Sequence, residues 1–323
     1  MIALVVAAGT SAVVLALLAR HPAIAPRDRP NPRSLHEGIV PRAGGWAIAA
    51  GWAAAAVVAG PPPGFGDAAY TALCWALAGL FAVSIADDFH GVSPVVRIVV
   101  QAGGAVAVAT TLAGQFGGDA AWTAGAALAL VAATNFYNFM DGSDGLAGTM
   151  AVVGFLSLGA GAAVAGLPAV ALFTPAFATL PFLGRNLPPA RIFLGDAGSV
   201  PLGFLAAAAS LSGALAGAWP AWFPPLVFLP FLADATVTLA KRALAGERVW
   251  EAHRSHYYQR LVRLGAGHRG TLAVYGALMV GCGATAVACA AWRPGAGPPA
   301  LAFWAAIIAL VFAGIDYHWR QRA

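Results

Sequence analysis

Asn135, Asn138, Asp141 and Asp144 follow one another every third residue in NFYNFMDGSDGLAG (135–148). On a helix, that spacing winds two amides and two carboxylates slowly around one face. Gly142 and Gly145 then break the helix and let backbone approach a ligand closely. Hard oxygen groups of this kind suit Mg²⁺ and the hydroxyls of a nucleotide or sugar; an Asn/Asp-rich turn capping the next helix is the plain structural alternative. A second cluster, Asp87-Asp88 in ADDFHG (86–91), closes an apolar run. An ionisable group there costs ~2.5–3.5 kcal/mol at mid-membrane and less toward a helix end. Two adjacent carboxylates also repel, so a cation or a proton must compensate unless the helix end is simply solvated. Asp196 lies between glycines in RIFLGDAGS (191–199). Helix capping by Asp196 or Ser199 explains it equally well in isolation, but beside the other clusters it is a fifth carboxylate.

Two basic segments accompany the acids. Residues 251–260 interleave Glu251, His253, Arg254, His256, Gln259 and Arg260, with Lys241, Arg242, Arg248, Arg263, His268 and Arg269 around them. The His253/His256 spacing would allow a metal pair, but the neighbouring arginines repel a cation and suit phosphate better. A basic loop resting on anionic lipid accounts for the arginines, though not for the interleaved aromatics, histidines and glutamine. The segment 28–45 carries Arg33, His36 and Arg42 among prolines and glycines; a rigid phosphate-binding loop and a juxtamembrane anchor are equal readings of it. Five carboxylates (Asp87, Asp88, Asp141, Asp144, Asp196) facing two basic loops fit metal-assisted phosphoryl chemistry on a lipid phosphate.

The elements that must position these groups are membrane helices. Of the 323 residues 60% are apolar and 10% are Asp, Glu, Lys or Arg, against about 25% in soluble domains, and the mean hydropathy is +0.75. A soluble enzyme, a disordered chain and a disulfide scaffold are excluded. The three cysteines (Cys74, Cys282, Cys289) all lie in apolar runs. Runs near the ~20 residues that cross a bilayer predict an all-α, polytopic protein of eleven helices. They fall at 2–19, 43–60, 69–86, 97–114, 121–138, 149–166, 169–184, 199–216, 222–240, 271–291 and 299–316. Residues 2–19 lack a positive n-region and are read as the first span rather than a signal peptide. With an odd count, one side receives Arg293 alone of the 18 basic residues. The positive-inside rule then places the N-terminus outside and the C-terminus in the cytoplasm. All acids except Asp67 and Asp119 fall on the cytoplasmic side or at helix ends facing it. One transmembrane unit, 1–323, is expected, its site built from cytoplasmic loops 20–42, 87–97, 138–148, 185–199 and 241–270.

The order and content of RSLHEGIVPRAGG (33–45), ADDFHGVSPVVRIVVQ (86–101), NFYNFMDGSDGLAG, RIFLGDAGS and HRSHYYQRL (253–261) resemble the polyprenyl-phosphate N-acetylhexosamine-1-phosphate transferases. This is glycosyltransferase family 4, which includes phospho-MurNAc-pentapeptide transferase. HRSHYYQRL looks most like the branch that initiates O-antigen or other surface-glycan synthesis. The resemblance implies that a UDP-N-acetyl sugar, UDP-GlcNAc or UDP-N-acetylfucosamine, gives its sugar-1-phosphate to undecaprenyl phosphate, releasing UMP at the cytoplasmic face of a bacterial inner membrane. It implies Mg²⁺, with Mn²⁺ as a substitute, held by Asp196 and Asn138. Asp87 and Asp88 become the essential pair near the lipid phosphate, with Asp196 the third catalytic carboxylate. Substrate contacts are expected from Asn135, Asp141, Asp144, Asp234, Arg33, His36, Arg42, Arg254, His256 and Arg260. Ser34 stands where many relatives have Lys, a charge Arg33 or Arg42 would replace. The loop 253–261 lacks the run of adjacent histidines of the pentapeptide-sugar enzyme, which argues against that substrate. Membrane lipids are the surroundings, nucleic acid is not expected, and a homodimer is expected by analogy alone. A transporter or flippase would place its ionisable groups near mid-membrane and show inverted repeats, and a non-catalytic scaffold would not need Asp87, Asp88, Asn138 and Asp196 intact.

Overall fold

In hydrocarbon every backbone N–H and C=O needs an internal partner, which leaves helices as the way to bury long apolar runs. The computed structural model describes residues 1–28, 35, 38–249, 251 and 253–322, and it is almost entirely helical. The helices are α1 (Ile2–Arg20), α2 (Gly44–Ala59), α3 (Asp67–His90), α4 (Pro94–Phe116), α5 (Ala120–Phe139), α6 (Leu146–Val164), α7 (Val170–Asn186), α8 (Asp196–Leu215), α9 (Phe223–Val227), α10 (Leu229–Leu244), α11 (Tyr257–Leu261), α12 (Gly267–Trp292) and α13 (Gly297–Arg320). Among the described residues, seven helices are long and apolar enough to cross a membrane: α1, α3, α4, α6, α8, the segment 257–292 and the segment 294–320. The shorter α2 is also apolar.

Helices stand where the apolar runs place them, with one break. The expected ninth helix, 222–240, is interrupted at Phe228 and carried on to Leu244. Pro230 supplies no backbone N–H to reach back across the join, so the ladder cannot run through it, while Pro224 and Pro225 sit in the first turn of α9. Elsewhere the ends are set by local chemistry. Gly91 closes α3 at φ 69°, and Ser93 caps α4 by accepting from Val96 N at 3.3 Å, with Pro94 in the first turn. This is the Ser-cap and N-terminal proline pattern of helix starts.

α8 lies at the centre, packed on α2, α3, α5 and α6. Two thirds of its apolar stretch is buried, as in α6, against 22% for α1 and 17% for α13. Its crossing with α2 is backbone to backbone: a Cβ on Gly45 would sit 2.2 Å from Gly198 N. Among the described residues two short strands pair antiparallel, β1 (Arg27–Asp28) with β2 (Val40–Pro41). The chain after β2 runs beside 193–194: Phe193 N donates to Pro41 O, Gly44 N to Phe193 O and Gly45 N to Leu194 O, at 2.8–2.9 Å. That stitching brings Arg42 to the start of α8.

Candidate active site

Three carboxylates and two guanidiniums meet where α3 ends and α8 begins. Asp87 accepts from Val92 N at 2.6 Å and pairs with Arg97 Nη1 at 2.9 Å. The tight α3–α4 turn thus orients Asp87 before any ligand arrives. Asp88, its side chain fully buried, has Arg42 Nη2 3.1 Å from Oδ1, an ion pair out of hydrogen-bond alignment, and accepts from Ala197 N at 3.4 Å through Oδ2. Asp196, the first residue of α8, pairs with Arg97 Nη2 at 2.9 Å and lies 3.6 Å from Arg42 Nη2. Each arginine therefore bridges two acids brought together from α3 and α8. Gly195 is required here: its φ is 72°, and a Cβ would lie 2.9 Å from Asp88 Oδ2.

A polar cavity of about 250 Å³ opens beside this cluster, lined among others by Arg42, Asn138, Asp141, Asp144, Asp196 and His268. Burial, then the charges of Asp196 and Asp88, push the Asp141 carboxyl well above the usual range, with only Arg42 opposing. Burial pulls the Arg42 guanidinium down, but Asp88, Asp196, Asp28 and Asp141 outweigh it and raise its pKa. Asp87, Asp88 and Asp196 against two guanidiniums leave the site short of positive charge, and Asp141 beside them holds its proton more readily than a free carboxyl.

Among the described residues no three His, Cys, Asp or Glu side chains form a ready metal cage. Mg²⁺ is commonly held by one or two protein carboxylates and completed by water and phosphate oxygens. Asp196 and Asn138 face the same cavity and offer hard oxygen donors. Asn138 Oδ1 is oriented by the Ser199 hydroxyl, which donates to it at 2.8 Å. The donor set fits the ion.

The DGSD turn is held from behind. Asp144 Oδ2 accepts from Ala190 N at 2.9 Å, and Asn186 accepts from Gly145 N while donating to Ile192 O, both at 2.9 Å. His268 Nδ1 accepts from Asp144 N at 3.2 Å and faces Ser143 Oγ at 2.9 Å. An amide N–H can only donate, so the ring proton is assigned to Nε2, which donates to Leu35 O at 3.1 Å.

Several expected substrate contacts stand elsewhere. Asp234 is fully buried, and its oxygens accept from Tyr257 N (2.9 Å), Tyr258 N (3.0 Å), Tyr275 Oη (2.6 Å) and Thr238 Oγ1 (3.1 Å), with His256 Nδ1 at 3.1 Å. With both oxygens taken, Asp234 anchors the segment 253–261 rather than meeting substrate. His256 is buried in that network, stacked on His253 with ring centroids 4.8 Å apart. Arg260 pairs with Asp316 at 2.9 Å, away from the carboxylates. Asn135 donates to Gln101 Oε1 at 2.7 Å and to Val131 O, linking α5 to α4. Arg254 is half-buried and takes no hydrogen bond or ion pair among the described residues. Arg33 and His36 lie outside the described residues. Burial, then the charges of His256 and Arg242, push His253 down to about 4, so its ring is neutral.

Arg97 was not among the expected site residues, and His268 and Gln259 were noted only as members of the basic segment. Arg97 carried a usable signal: a lone arginine in an apolar run, with Gln101 one turn on, is an ionisable residue that hydrocarbon would tolerate only with a partner. Their types alone did not place His268 and Gln259 at the cavity, because that depends on how 253–268 folds back.

Apolar grooves flank α8. One of about 550 Å³ runs between α2, α3 and α8 and starts at Ala197–Gly198; another of about 380 Å³ lies between α5, α8 and the α9–α10 break.

Residues 70–214 match the family model of glycosyl transferase family 4, a range that holds Asp87, Asp88, Arg97, Asn138, Asp141, Asp144 and Asp196. The chain is 29% identical over 260 residues to a "Probable undecaprenyl-phosphate N-acetylglucosaminyl 1-phosphate transferase" of Bacillus subtilis (strain 168), covering 75% of this chain and 71% of the relative. It is 28% identical over 282 residues to a decaprenyl-phosphate N-acetylglucosaminephosphotransferase of Mycobacterium tuberculosis, covering 74% and 70%. A phospho-N-acetylmuramoyl-pentapeptide-transferase of Staphylococcus aureus is 32% identical over 131 residues, 40% of each chain.

Proposed function

From the match of residues 70–214 to glycosyl transferase family 4 and the similarity to polyprenyl-phosphate sugar-1-phosphate transferases, we propose that the chain transfers an N-acetylhexosamine-1-phosphate from a UDP-sugar to undecaprenyl phosphate. A phosphate oxygen of the lipid attacks the sugar-linked phosphorus of the UDP-sugar. The bond from that phosphorus to the bridging oxygen breaks, and the electron pair leaves with UMP. The products are undecaprenyl-pyrophosphoryl-sugar and UMP, with no proton or electron unaccounted for when both phosphates enter ionised.

The observation that carries the reading is the convergence of Asp87, Asp88 and Asp196 with Arg42 and Arg97 at one edge of the polar cavity. Asp196 and Asn138 would hold Mg²⁺, which when bound supplies positive charge for a pyrophosphate. Arg42 and Arg97 offer planar donor forks that match phosphate oxygens, and the carboxylates aim those forks. Asp87 has both oxygens engaged, by Val92 N and Arg97. Its role is therefore to position Arg97 and the lipid phosphate, since a phosphate already ionised at neutral pH needs no base. Asp141 and Asn138 line the cavity where nucleotide and sugar would lie, and the apolar grooves beside α8 suit a polyprenyl tail. The charge asymmetry of the loops supports an N-terminus outside and a site at the cytoplasmic face, and the bacterial relatives support an inner membrane. UDP-GlcNAc and UDP-N-acetylfucosamine are the proposed donors, initiation of O-antigen or another surface glycan the proposed role, and a homodimer the proposed assembly.

The test is UMP release by purified protein given undecaprenyl phosphate, Mg²⁺ or Mn²⁺, and a panel of UDP-N-acetyl sugars. Release that requires both lipid and metal, and stops with EDTA, is expected. Folded protein that releases no UMP and binds no nucleotide sugar would overturn the proposal.

A further inference from the structure

The segment 253–261 is gripped from two sides. On the inner side Asp234 takes the amides of Tyr257 and Tyr258. On the outer side the last turns of α13 receive it. Asp316 pairs with Arg260 at 2.9 Å and Lys241 at 2.5 Å and accepts from Tyr257 Oη at 3.0 Å. Lys241 Nζ also donates to Tyr257 Oη. The Tyr257 ring stacks on Phe312, 3.9 Å between centroids and 7° from parallel. Trp319 lies under the guanidiniums of Arg260 and Arg263, at 5.6 and 4.8 Å.

What these grips hold is one wall of the cavity. Tyr258, the next residue along, donates to Phe139 O at 3.0 Å, two residues before Asp141. Gln259 lines the cavity itself. Arg254, without a partner among the described residues, lies just before the gripped turn. We propose that Asp316 is a positioning residue for the nucleotide-sugar wall: it fixes α11 from outside, and Arg260 acts through Asp316 rather than on a phosphate. This rests on the functional reading above, which assigns the cavity to the nucleotide sugar. Geometry favours it over direct contact, because Arg260 gives Nη1 to Asp316, packs its guanidinium over the Tyr257 and Trp319 rings and keeps Nε buried.

Steady-state kinetics for both substrates and tryptic cleavage after Arg254, on the full-length protein in detergent, test the proposal with Asp316→Asn, Arg260→Ala and the double variant. Asp316→Asn is expected to raise KM for the nucleotide sugar about tenfold and leave kcat and the lipid KM within about twofold. Cleavage after Arg254 should quicken by a similar factor. Arg260→Ala should match it, and the double variant should add almost nothing, as expected when two residues act as one unit. Tyr257→Phe, which removes a single hydroxyl, carries the same test if Asp316→Asn fails to accumulate. An unchanged sugar KM, unaltered cleavage, or additive effects of the two substitutions would overturn the proposal. Wild-type protein that neither transfers nor binds a sugar nucleotide would sink the functional reading instead, and the cleavage arm would then decide the clamp alone.

Discussion

Asp196 sits between Arg42 and Arg97 at the first residue of a helix, and its carboxylate shares the Arg97 guanidinium with Asp87. Replacing it by Asn removes charge and keeps shape. Asp196→Asn should therefore lose about a hundredfold or more of turnover while the detergent melting temperature stays near wild type, read by UMP release and thermal unfolding side by side. Near-normal turnover would refute the metal assignment. His253 gives a pH signature of a different kind. Its folded pKa, pushed to about 4 by burial and by His256 and Arg242, lies below the ordinary 6.5. Between those values the unfolded chain binds the proton and the folded one resists it. The stabilisation is thus complete above about pH 6.5 and lost as pH falls toward 4. His253→Gln should flatten the fall in melting temperature over that window; an identical fall would show that other groups set it.

At the scale of elements, the site depends on how closely α2 and α8 approach. Arg42 lies two residues before α2 and Asp196 opens α8, so the Gly45–Gly198 crossing sets the distance between their charges. A methyl on Gly45 meets Gly198 backbone at 2.2 Å, which no rotamer change relieves. Gly45→Ala should cost about 1–3 kcal/mol and lower activity as well, because separating the helices draws Arg42 from Asp88 and Asp196. Differential unfolding together with UMP release checks this, and loss of stability with full turnover would show that the loop holds Arg42 independently of the crossing. The α9–α10 break is informative in the same way: Pro230 stops the ladder between the two helices, and the second delivers Asp234 beneath α11.

For the whole molecule, the uneven distribution of basic residues makes a topological prediction. Gly295 lies in the turn before α13, is exposed, and has open space where a Cβ would go; Arg322 lies past the end of that helix and is exposed. On a cysteine-free background, Gly295→Cys should react with an impermeant thiol reagent added to intact cells, and Arg322→Cys only after the membrane is opened. The reverse pattern would invert the proposed orientation and put the acidic cluster on the wrong side for a cytoplasmic nucleotide sugar.

The chain's own residues determined that it is a helical membrane protein, where nearly every helix lies, and that carboxylates gather at helix ends. These follow from local quantities: apolar run length, proline and glycine placement, and the cost of charge in hydrocarbon. The acids Asp87, Asp88, Asp141 and Asp196 could be picked out because each stands out against an apolar background. Which cation serves which acid was decided only by tertiary structure. Arg42 and Arg97 come to Asp196 through the α2–α8 crossing and the α3–α4 turn, contacts between segments about a hundred and more residues apart. The basic segment misled for the same reason. Arg260 carries the residue type of a phosphate site and Asp234 was expected at the substrate from the resemblance, yet α13 and α12 fold back to supply Asp316 and Tyr275 as their partners. A side chain's type states what it can bind, and long-range packing decides which partner reaches it first.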